Sequence, residues 1–298
     1  MAGAIHGVAV DAGSGLAAAI AQARGAQAED GDLLTFKRSV VETLGPDAST
    51  VLVDAACGRD LLPSFPMGCA PMLAFEADVY HISDADRITV LPDNLNVEDY
   101  PGLGVKDLKF FMYYAPDDDA ELNARKQTLV ADIGARCRAA GIRYLMEPLV
   151  YHPTLQPGTA AYAAAKPDLV RRATEVFADP RFAVDVLKVE IPVDLGFVEG
   201  FGQPEMSVSD AHSAFRAAAA PAKGIDLVYL SAGVAFEAFE ASLCMAREAG
   251  VAFDGFMCGR AIWSDAVAIF GARGERGLRD WLGEEGRARL ARLVAAVR

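Results

Sequence analysis

Histidine and paired cysteine are scarce in this chain, and their scarcity argues against a metal-dependent protein. Four histidines occur, and no two of them form a close pair, whereas zinc sites are built from several histidine or cysteine ligands. The five cysteines form no CxxC pair, and their odd number favours reduced, buried thiols in a cytosolic protein. We therefore expect neither a metal nor a cofactor, and we expect a cytoplasmic protein.

Long apolar runs, a basic leader and an excess of positive charge are also missing. No stretch of about 18 uncharged apolar residues occurs, so no membrane span is expected, and residues 1–13 have none of the features of a signal peptide. The net charge of −13 would repel a phosphate backbone, which argues against nucleic-acid binding. GxSxG, HExxH and P-loop motifs are absent as well.

Short apolar runs with strand character do recur along the chain, and helical segments lie between most of them. The eight strand-like runs are GVAVDA (7–12), TVLVDA (50–55), PMLAFE (71–76), LKFFMYY (108–114), YLMEPLV (144–150), VLKVEIP (186–192), LVYLSAG (227–233) and DGFMCGR (254–260). Helical periodicity of apolar residues occurs at 120–140, 166–178, 235–249 and 275–297. This alternation predicts a parallel sheet, and eight units predict closure into one (β/α)8 TIM barrel that spans residues 1–298 as a single domain.

An open, doubly wound sheet is the structural alternative. Such a sheet usually carries a glycine-rich fingerprint after its first strand, and DAGSG (11–15) matches that fingerprint only weakly. Two long connections also stand out. Residues 83–104 predict an irregular crossing between the third and fourth strands, and residues 151–165 predict a loop that forms part of a lid.

The active site of a barrel lies at the carboxyl ends of its strands. Charged groups are rarely buried without partners, so a concentration of polar residues at those ends predicts a functional site. The polar residues at the predicted strand ends are Asp11, Asp54, Glu76, Lys109, Glu147, Lys188, Glu190, Ser231 and Arg260.

Lys188 is the most informative of these residues, because strand-forming residues flank it on both sides. An inward lysine beside a second cation, such as Lys109, and against a desolvating wall would lose its proton near neutral pH. A neutral amine can attack a carbonyl carbon and form a Schiff base. The alternative is a lysine that extends to solvent from a strand end.

Two carboxylates are candidates for proton transfer or substrate binding. Glu147 stands in an apolar strand, which favours a raised pKa and a role as general acid or base; its alternative role is a structural partner for an inner lysine. Asp11 ends the first strand and either contacts Lys188 or a substrate hydroxyl, or caps the next helix.

The ends of the seventh and eighth strands predict a phosphate site. Ser231 and Gly233 follow the seventh strand, and Gly259 and Arg260 follow the eighth. Loops at these two places in barrels often bind phosphate through backbone N–H groups and a helix N-terminus, and an arginine adds a bidentate donor. The alternative for Arg260 is a carboxylate pair at the barrel rim. A magnesium lyase built on Asp54 and Glu76 also stays open.

Several long segments resemble the class I tagatose-1,6-bisphosphate aldolase family, and the related sulfofructose-phosphate aldolases. They are DVLKVEIPVDLGFVEGF (185–201), YLSAGVAFEAFEASL (229–243) and FDGFMCGRAIW (253–263), supported by FADPRF (177–182), LKFFMYY (108–114), EPLV (147–150) and KPDLV (166–170). The resemblance runs from about Val8 to about Leu282. It implies a class I aldolase that cleaves a ketose phosphate to dihydroxyacetone phosphate and an aldehyde.

The resemblance also implies a role for each candidate residue. It places the Schiff-base lysine at Lys188, the proton-transfer glutamate at Glu147, a second lysine at Lys109 and an aspartate at Asp11. It places the phosphate side at Ser231, Gly233, Gly259 and Arg260.

One departure from the family bears on the substrate. The family usually reads Asp-Gln-Arg after the first strand, and this chain reads Asp11-Ala12-Gly13, which suggests a different ketose phosphate or a lost aldolase activity. A sulfofructose-phosphate aldolase and a non-catalytic sugar-phosphate sensor are the alternative functions. We expect a small-molecule ketose phosphate as partner and a homo-oligomeric assembly.

Overall fold

Eight parallel strands close into a barrel in the computed structural model, which describes residues 4–29 and 31–298. Each strand pairs with its neighbours in chain order, and the last pairs with the first. The strands are β1 (Ile5–Ala9), β2 (Thr50–Val53), β3 (Ala70–Ala74), β4 (Asp107–Tyr114), β5 (Arg143–Val150), β6 (Val186–Glu190), β7 (Asp226–Leu230) and β8 (Gly255–Cys258). The predicted (β/α)8 TIM barrel is therefore confirmed, and the open doubly wound sheet is wrong.

Six of the predicted strand runs extend too far at their carboxyl ends. The strands end two or three residues before the limits predicted for the runs 7–12, 50–55, 71–76, 186–192, 227–233 and 254–260. Strand character of the sequence continues through these residues, but the chain leaves the hydrogen-bonded ladder to form the loops above the barrel. Asp11, Asp54, Glu76 and Ser231 therefore lie just beyond the ends of their strands, whereas Lys188 and Glu190 lie within β6.

The α-helices in the described part of the chain pack around the barrel. They are α1 (Ser14–Arg24), α2 (Asp32–Leu44), α3 (Ala55–Leu61), α4 (Ala120–Ala140), α5 (Ala160–Phe177), α6 (Val208–Ala219), α7 (Phe236–Glu248), α8 (Arg260–Trp281) and α9 (Arg287–Ala296). The prediction of a helix over 120–140 is confirmed. The helix predicted at 166–178 begins earlier, because the Thr159 side chain accepts the N–H of Tyr162 and the helix passes through Pro167. The segment predicted as one helix over 275–297 is two helices joined by a π-helical turn, Leu282–Gly286.

The connection between β3 and β4 contains no α-helix, as the composition of residues 83–104 predicts. Three short 3-10 turns lie along it, at Val79–His81, Val97–Asp99 and Pro101–Leu103. This connection runs across the top of the barrel, where it reaches the loop after β1. It thereby contributes side chains to the mouth that no barrel helix would supply.

Two apolar layers make up the core. The larger layer lies between the strands and the surrounding helices. The smaller one fills the inside of the barrel with Ile5, Ala9, Leu52, Met72, Ala74, Leu145, Val186, Val228 and Met257. Because side chains alternate along a strand, the residues two positions beyond Ala9, Ala74, Leu145 and Val186 also face inward, at the upper end. Within the described residues, no helix is both long and apolar enough to cross a membrane.

Candidate active site

A cavity of about 700 Å³ opens at the carboxyl ends of the strands. All eight residues predicted as catalytic or phosphate-binding line it, and they come from six different strands or the loops that follow them. These residues are Asp11, Lys109, Glu147, Lys188, Ser231, Gly233, Gly259 and Arg260. The barrel therefore brings together side chains that lie as far as 249 positions apart in the sequence, from 11 to 260.

Glu147 bridges the two lysines at the floor of the cavity. Its Oε1 atom lies 3.0 Å from Lys188 Nζ, and its Oε2 atom lies 2.8 Å from Lys109 Nζ. The three side chains are 9 %, 5 % and 2 % exposed, respectively. Lys188 points into the barrel because it follows the inward Val186 by two positions on β6. The alternative of a lysine that extends to solvent is therefore wrong.

Lys109 is the centre of a larger buried cluster. Its Nζ atom donates to Asp11 Oδ2 at 3.0 Å and to Glu76 Oε1, besides its contact with Glu147. Glu76 Oε2 also accepts the backbone N–H of Phe111 at 3.2 Å. One ammonium group thus faces three carboxyl groups. Asp11 makes no helix cap, because α1 begins after Gly13 without a side-chain cap.

The charges of the lysines control the ionisation of this cluster. Burial raises the pKa of Glu147, but Lys109 and Lys188 outweigh that effect and lower it below its ordinary value. Burial likewise opposes ionisation of Asp11, yet the same two lysines lower its pKa to about 2. Burial lowers the pKa of Lys109, and Glu147, Glu76 and Asp11 together raise it well above its ordinary value. The expectation of a raised pKa at Glu147 is therefore wrong, because two cations touch this carboxylate.

Glu76 is the exception among the carboxyl groups. Burial raises its pKa from 4.5 to about 7, although Lys109 acts in the opposite direction. Its neighbours Asp11 and Glu147 are negative, and both add to the rise. The cluster therefore holds one carboxyl group that changes protonation near neutral pH.

This raised pKa predicts a specific pH dependence of stability. A carboxyl group with a higher pKa in the folded state binds protons better when folded, so its contribution is complete below pH 4.5 and is lost as the pH rises to about 7. At roughly 1.4 kcal/mol per pKa unit, the loss is about 3 kcal/mol. Glu76→Gln has no carboxyl group that titrates at this position. The free energy of unfolding of the variant minus that of wild type is therefore expected to increase from pH 4.5 to about 7.

Urea unfolding at a series of pH values measures the effect. Glu98→Gln is a suitable control, because Glu98 is an exposed carboxylate paired with Arg136 outside the barrel. Parallel stability curves for wild type and Glu76→Gln between pH 4.5 and 7 would contradict the assignment.

The predicted phosphate side consists of a tight turn after β7. The backbone N–H of Val234 donates to the carbonyl of Ser231 at 3.0 Å, and both central residues have positive φ, 49° at Ala232 and 80° at Gly233. These angles are typical of a type I′ turn. In the described part of the chain, the N–H groups of Ala232 and Gly233 donate to no backbone carbonyl, so they are available to an oxyanion.

Arg260 completes this side of the cavity. It is exposed and is the first residue of α8, whose N-terminus carries a partial positive charge. Its guanidinium lies against the turn: a Cβ atom added at Gly233 would be 2.9 Å from Arg260 Cζ. Gly259 lets the chain pass close to β1, because a Cβ atom there would be 2.1 Å from the carbonyl oxygen of Ala9. In the described residues Arg260 forms no ion pair, so the alternative of a rim carboxylate pair is not found there.

The two carboxylates considered for magnesium are separated. Asp54 caps α3 by accepting the N–H of Cys57 at 3.0 Å, and it forms an ion pair with the buried Lys37. Glu76 contacts Lys109 instead. Among residues 4–29 and 31–298, no group of three or more His, Cys, Asp or Glu side chains is arranged to hold a metal ion.

The cavity also contains residues that sequence reasoning missed. Tyr113 follows Lys109 by four positions on β4, so strand alternation could have identified it. Tyr151 comes directly after β5, and Arg87 lies on the irregular crossing between β3 and β4, where no periodicity exists. Lys166 was missed as well, and it pairs in the cavity wall with Glu190, which the sequence did indicate, with 3.6 Å between Nζ and Oε1.

The loop after β1 is covered by the crossing between β3 and β4. The backbone N–H of Ser14 donates to Asp78 Oδ2 at 2.6 Å. A Cβ atom at Gly13 would lie 2.6 Å from the same oxygen, and one at Gly15 would lie 2.2 Å from the Tyr80 ring. A side chain at position 13 would displace Asp78 from its contact with Ser14, which gives the glycine at position 13 a physical reason.

Comparison with known proteins agrees with this arrangement. Residues 6–265 match the model of the DeoC/LacD family aldolases. The chain is 34 % identical to tagatose 1,6-diphosphate aldolase of Listeria monocytogenes, over 98 % of this chain and 86 % of that protein. It is 38 % identical to tagatose 1,6-diphosphate aldolase 1 of Streptococcus pyogenes, over 85 % of this chain and 78 % of that protein.

A solved structure has the same fold. The fructose-bisphosphate aldolase of Plasmodium falciparum, in complex with TRAP and a small-molecule inhibitor, superposes with a TM-score of 0.69. The superposition covers 98 % of this chain and 91 % of that one, at 13 % identity. At this identity the likeness concerns the fold alone.

Proposed function

This chain belongs to the DeoC/LacD family of aldolases, and we propose that it cleaves a phosphorylated ketose through a Schiff base on Lys188. As a member it is an enzyme, a carbon–carbon lyase. The observation that carries the mechanism is the buried contact between Lys188 Nζ and Glu147 Oε1, at 3.0 Å. The proposed substrate is tagatose 1,6-bisphosphate or a related ketose 1-phosphate, as the names of the relatives suggest.

Formation of the Schiff base needs a proton carrier beside the amine. The Lys188 amine attacks the ketone carbon, and the resulting carbinolamine loses its hydroxyl as water to give an iminium. Glu147 is suited to this task because its lowered pKa keeps it ionised and able to accept a proton. It then returns the proton to the departing hydroxyl.

Bond cleavage uses the iminium as an electron sink. A base removes the proton of the C4 hydroxyl, the C3–C4 bond breaks, and its electron pair forms an enamine on the Lys188 side, while the aldehyde leaves. Protonation of the enamine at C3 and hydrolysis of the iminium release dihydroxyacetone phosphate. Glu147 is the carboxylate next to Lys188 and is the proposed base for the C4 hydroxyl as well.

The remaining side chains bind and orient the substrate. Asp11 contacts Lys109 and not the reacting amine, so it is suited to accept a hydrogen bond from a substrate hydroxyl. Lys109 fixes the positions of Glu147 and Asp11, which it contacts at 2.8 and 3.0 Å. The turn at Ser231–Gly233 and Arg260 hold the 1-phosphate, whose binding energy then serves the reacting centre.

Borohydride trapping tests the proposal. The protein is incubated with dihydroxyacetone phosphate and sodium borohydride, and the intact mass and peptide map are measured. We expect one reduced adduct on the peptide that contains Lys188, and none in Lys188→Ala. The second cavity lysine, Lys109, serves as an internal control. An adduct on Lys109, or none on a folded protein that binds the ligand, would contradict the mechanism.

A further inference from the structure

The cavity has a second cation-bearing end, which the proposed mechanism does not use. Arg87, Tyr113 and Tyr151 line it, on the side of β4 and β5. The turn at Ser231–Gly233 and Arg260 lie on the other side, after β7 and β8. In the closed strand order, β4 stands opposite β8, so the two cations face the cavity from opposite sides.

Arg87 is held on aromatic rings and is not neutralised by a carboxylate. Its guanidinium carbon lies 4.3 Å from the centre of the Tyr151 ring and 5.7 Å from that of Tyr113. Across residues 4–29 and 31–298, its side chain donates no hydrogen bond, and its one ion-pair contact is Asp84 at 3.9 Å. The Asp84 side chain is fully exposed, and such a pair contributes little. The Arg87 side chain, 35 % exposed, therefore has N–H groups to offer a ligand.

The aromatic platform beneath Arg87 is itself fixed. The Tyr151 hydroxyl donates to Asp118, and Lys126 Nζ donates to the same hydroxyl oxygen at 3.1 Å. A guanidinium that lies over a ring keeps its N–H donors in its own plane, so their outer edge is open to an acceptor. The backbone of Arg87 is also in the left-handed region, with φ of 51°, a conformation that a non-glycine residue holds only when its surroundings determine it.

The two ends of the cavity are close enough for one small molecule to reach both. Burial raises the pKa of Tyr113, and the charges of Arg87 and Arg260 both act against this rise. Arg87, Tyr113 and Arg260 also line one and the same cavity of about 700 Å³, a volume typical of a site for one small molecule. Lys188, on β6, lies between the two sides.

We infer that Arg87, which lies over the Tyr151 ring, is the residue of this chain that binds the oxyanion at the far end of a doubly anionic ketose. The inference rests on the proposed function in that it takes the ligand to be a ketose with its 1-phosphate at Arg260. The far oxyanion is a phosphate or a sulfonate, both of which offer the bidentate acceptors that a guanidinium prefers. Arg87 is thereby a substrate-specificity residue supplied by the crossing between β3 and β4.

Binding of hexitol phosphates tests the inference without any Schiff base, because hexitols have no carbonyl group. Calorimetry would compare a hexitol 1-phosphate, a hexitol 1,6-bisphosphate and a 6-deoxy-6-sulfohexitol 1-phosphate on wild type and on Arg87→Met. We expect wild type to bind one of the doubly charged ligands roughly 10- to 100-fold more tightly than the monophosphate. Arg87→Met is expected to lose this preference and to retain its affinity for the monophosphate.

Two further variants sharpen the result. Arg181 also lies over an aromatic ring, 4.6 Å from the centre of Phe182, but it precedes β6 at the opposite end of the barrel, so Arg181→Met is expected to keep the preference. Arg87→Lys keeps the charge without the planar donor pair, and we expect it to retain part of the preference.

The outcomes separate this inference from the proposed function. An undiminished preference in Arg87→Met, or equal affinity of wild type for all three ligands, overturns the inference. Failure of borohydride trapping at Lys188, with the preference intact in wild type and lost in Arg87→Met, overturns the Schiff-base mechanism and leaves the inference standing. The doubly charged ligand that wild type prefers identifies the far group as phosphate or sulfonate.

Discussion

Lys188→Met is expected to lower kcat for tagatose 1,6-bisphosphate cleavage by about 10⁵- to 10⁶-fold, the size of effect seen when a covalent nucleophile is removed. Methionine has similar length and fits a buried position, so the fold should persist. The loss should fall on kcat because the nucleophile acts only in the chemical steps, while Arg260 and the turn at Ser231–Gly233 still bind the substrate.

Lys166, a third lysine of the cavity, supplies the control for this experiment. Lys166 is mostly buried and pairs with Glu190 at 3.6 Å, yet the mechanism assigns it no proton transfer. Lys166→Met should therefore reduce kcat far less than Lys188→Met. Steady-state kinetics with coupled detection of dihydroxyacetone phosphate measure both variants. Equal losses would mean that cavity lysines act through their charge, and the Schiff base would be wrong.

Lys109→Met is expected to reduce the free energy of unfolding by about 3–5 kcal/mol at pH 7, because removal of one partner leaves buried charges uncompensated. Lys109 is 2 % exposed and contacts Asp11, Glu76 and Glu147. Without its ammonium group, these carboxyl groups repel each other in a desolvated site. The deficit should shrink as the pH falls, since protonation removes the repulsion.

The comparison with another buried lysine isolates the role of the cluster. Lys37 is fully buried as well, but within residues 4–29 and 31–298 it pairs with one carboxylate, Asp54. Lys37→Met should therefore show a deficit with a weaker dependence on pH than that of Lys109→Met. Chemical denaturation of both variants at several pH values measures this difference. A deficit for Lys109→Met that stays constant down to acidic pH would contradict the electrostatic explanation.

The floor of the site could be predicted from sequence because it stands on regular strands. Lys109, Glu147 and Lys188 lie in strands whose alternation fixes which side chains face inward, and parallel pairing brings the strand ends together. The same rule accounts for Tyr113. The pKa of Glu147 was wrongly expected to be raised, because its two lysine partners come from separate strands and their distances are not visible in a one-dimensional pattern.

The mouth of the site could not be predicted in the same way. Arg87 and Tyr80 lie in a segment without helix or strand periodicity, so nothing in their spacing indicates which side chains enter the cavity. The start of α5 was missed because apolar periodicity indicated a helix only from residue 166, whereas Thr159 caps a helix that begins at Ala160. Local signals fail at such places because contacts with distant parts of the chain decide the conformation.

The crossing between β3 and β4 has a consequence for how this barrel can change its substrate. Lys188, Glu147 and Lys109 are rooted in the strands, whereas Tyr80 and Arg87 belong to a connection that folds over the loop after β1. The proposed specificity residue Arg87 and the proposed catalytic residues therefore belong to separate segments of the chain. Exchange of residues 78–104 between family members, together with positions 12–15, should therefore transfer substrate preference. It should leave the positions of Lys188, Glu147 and Lys109 unchanged.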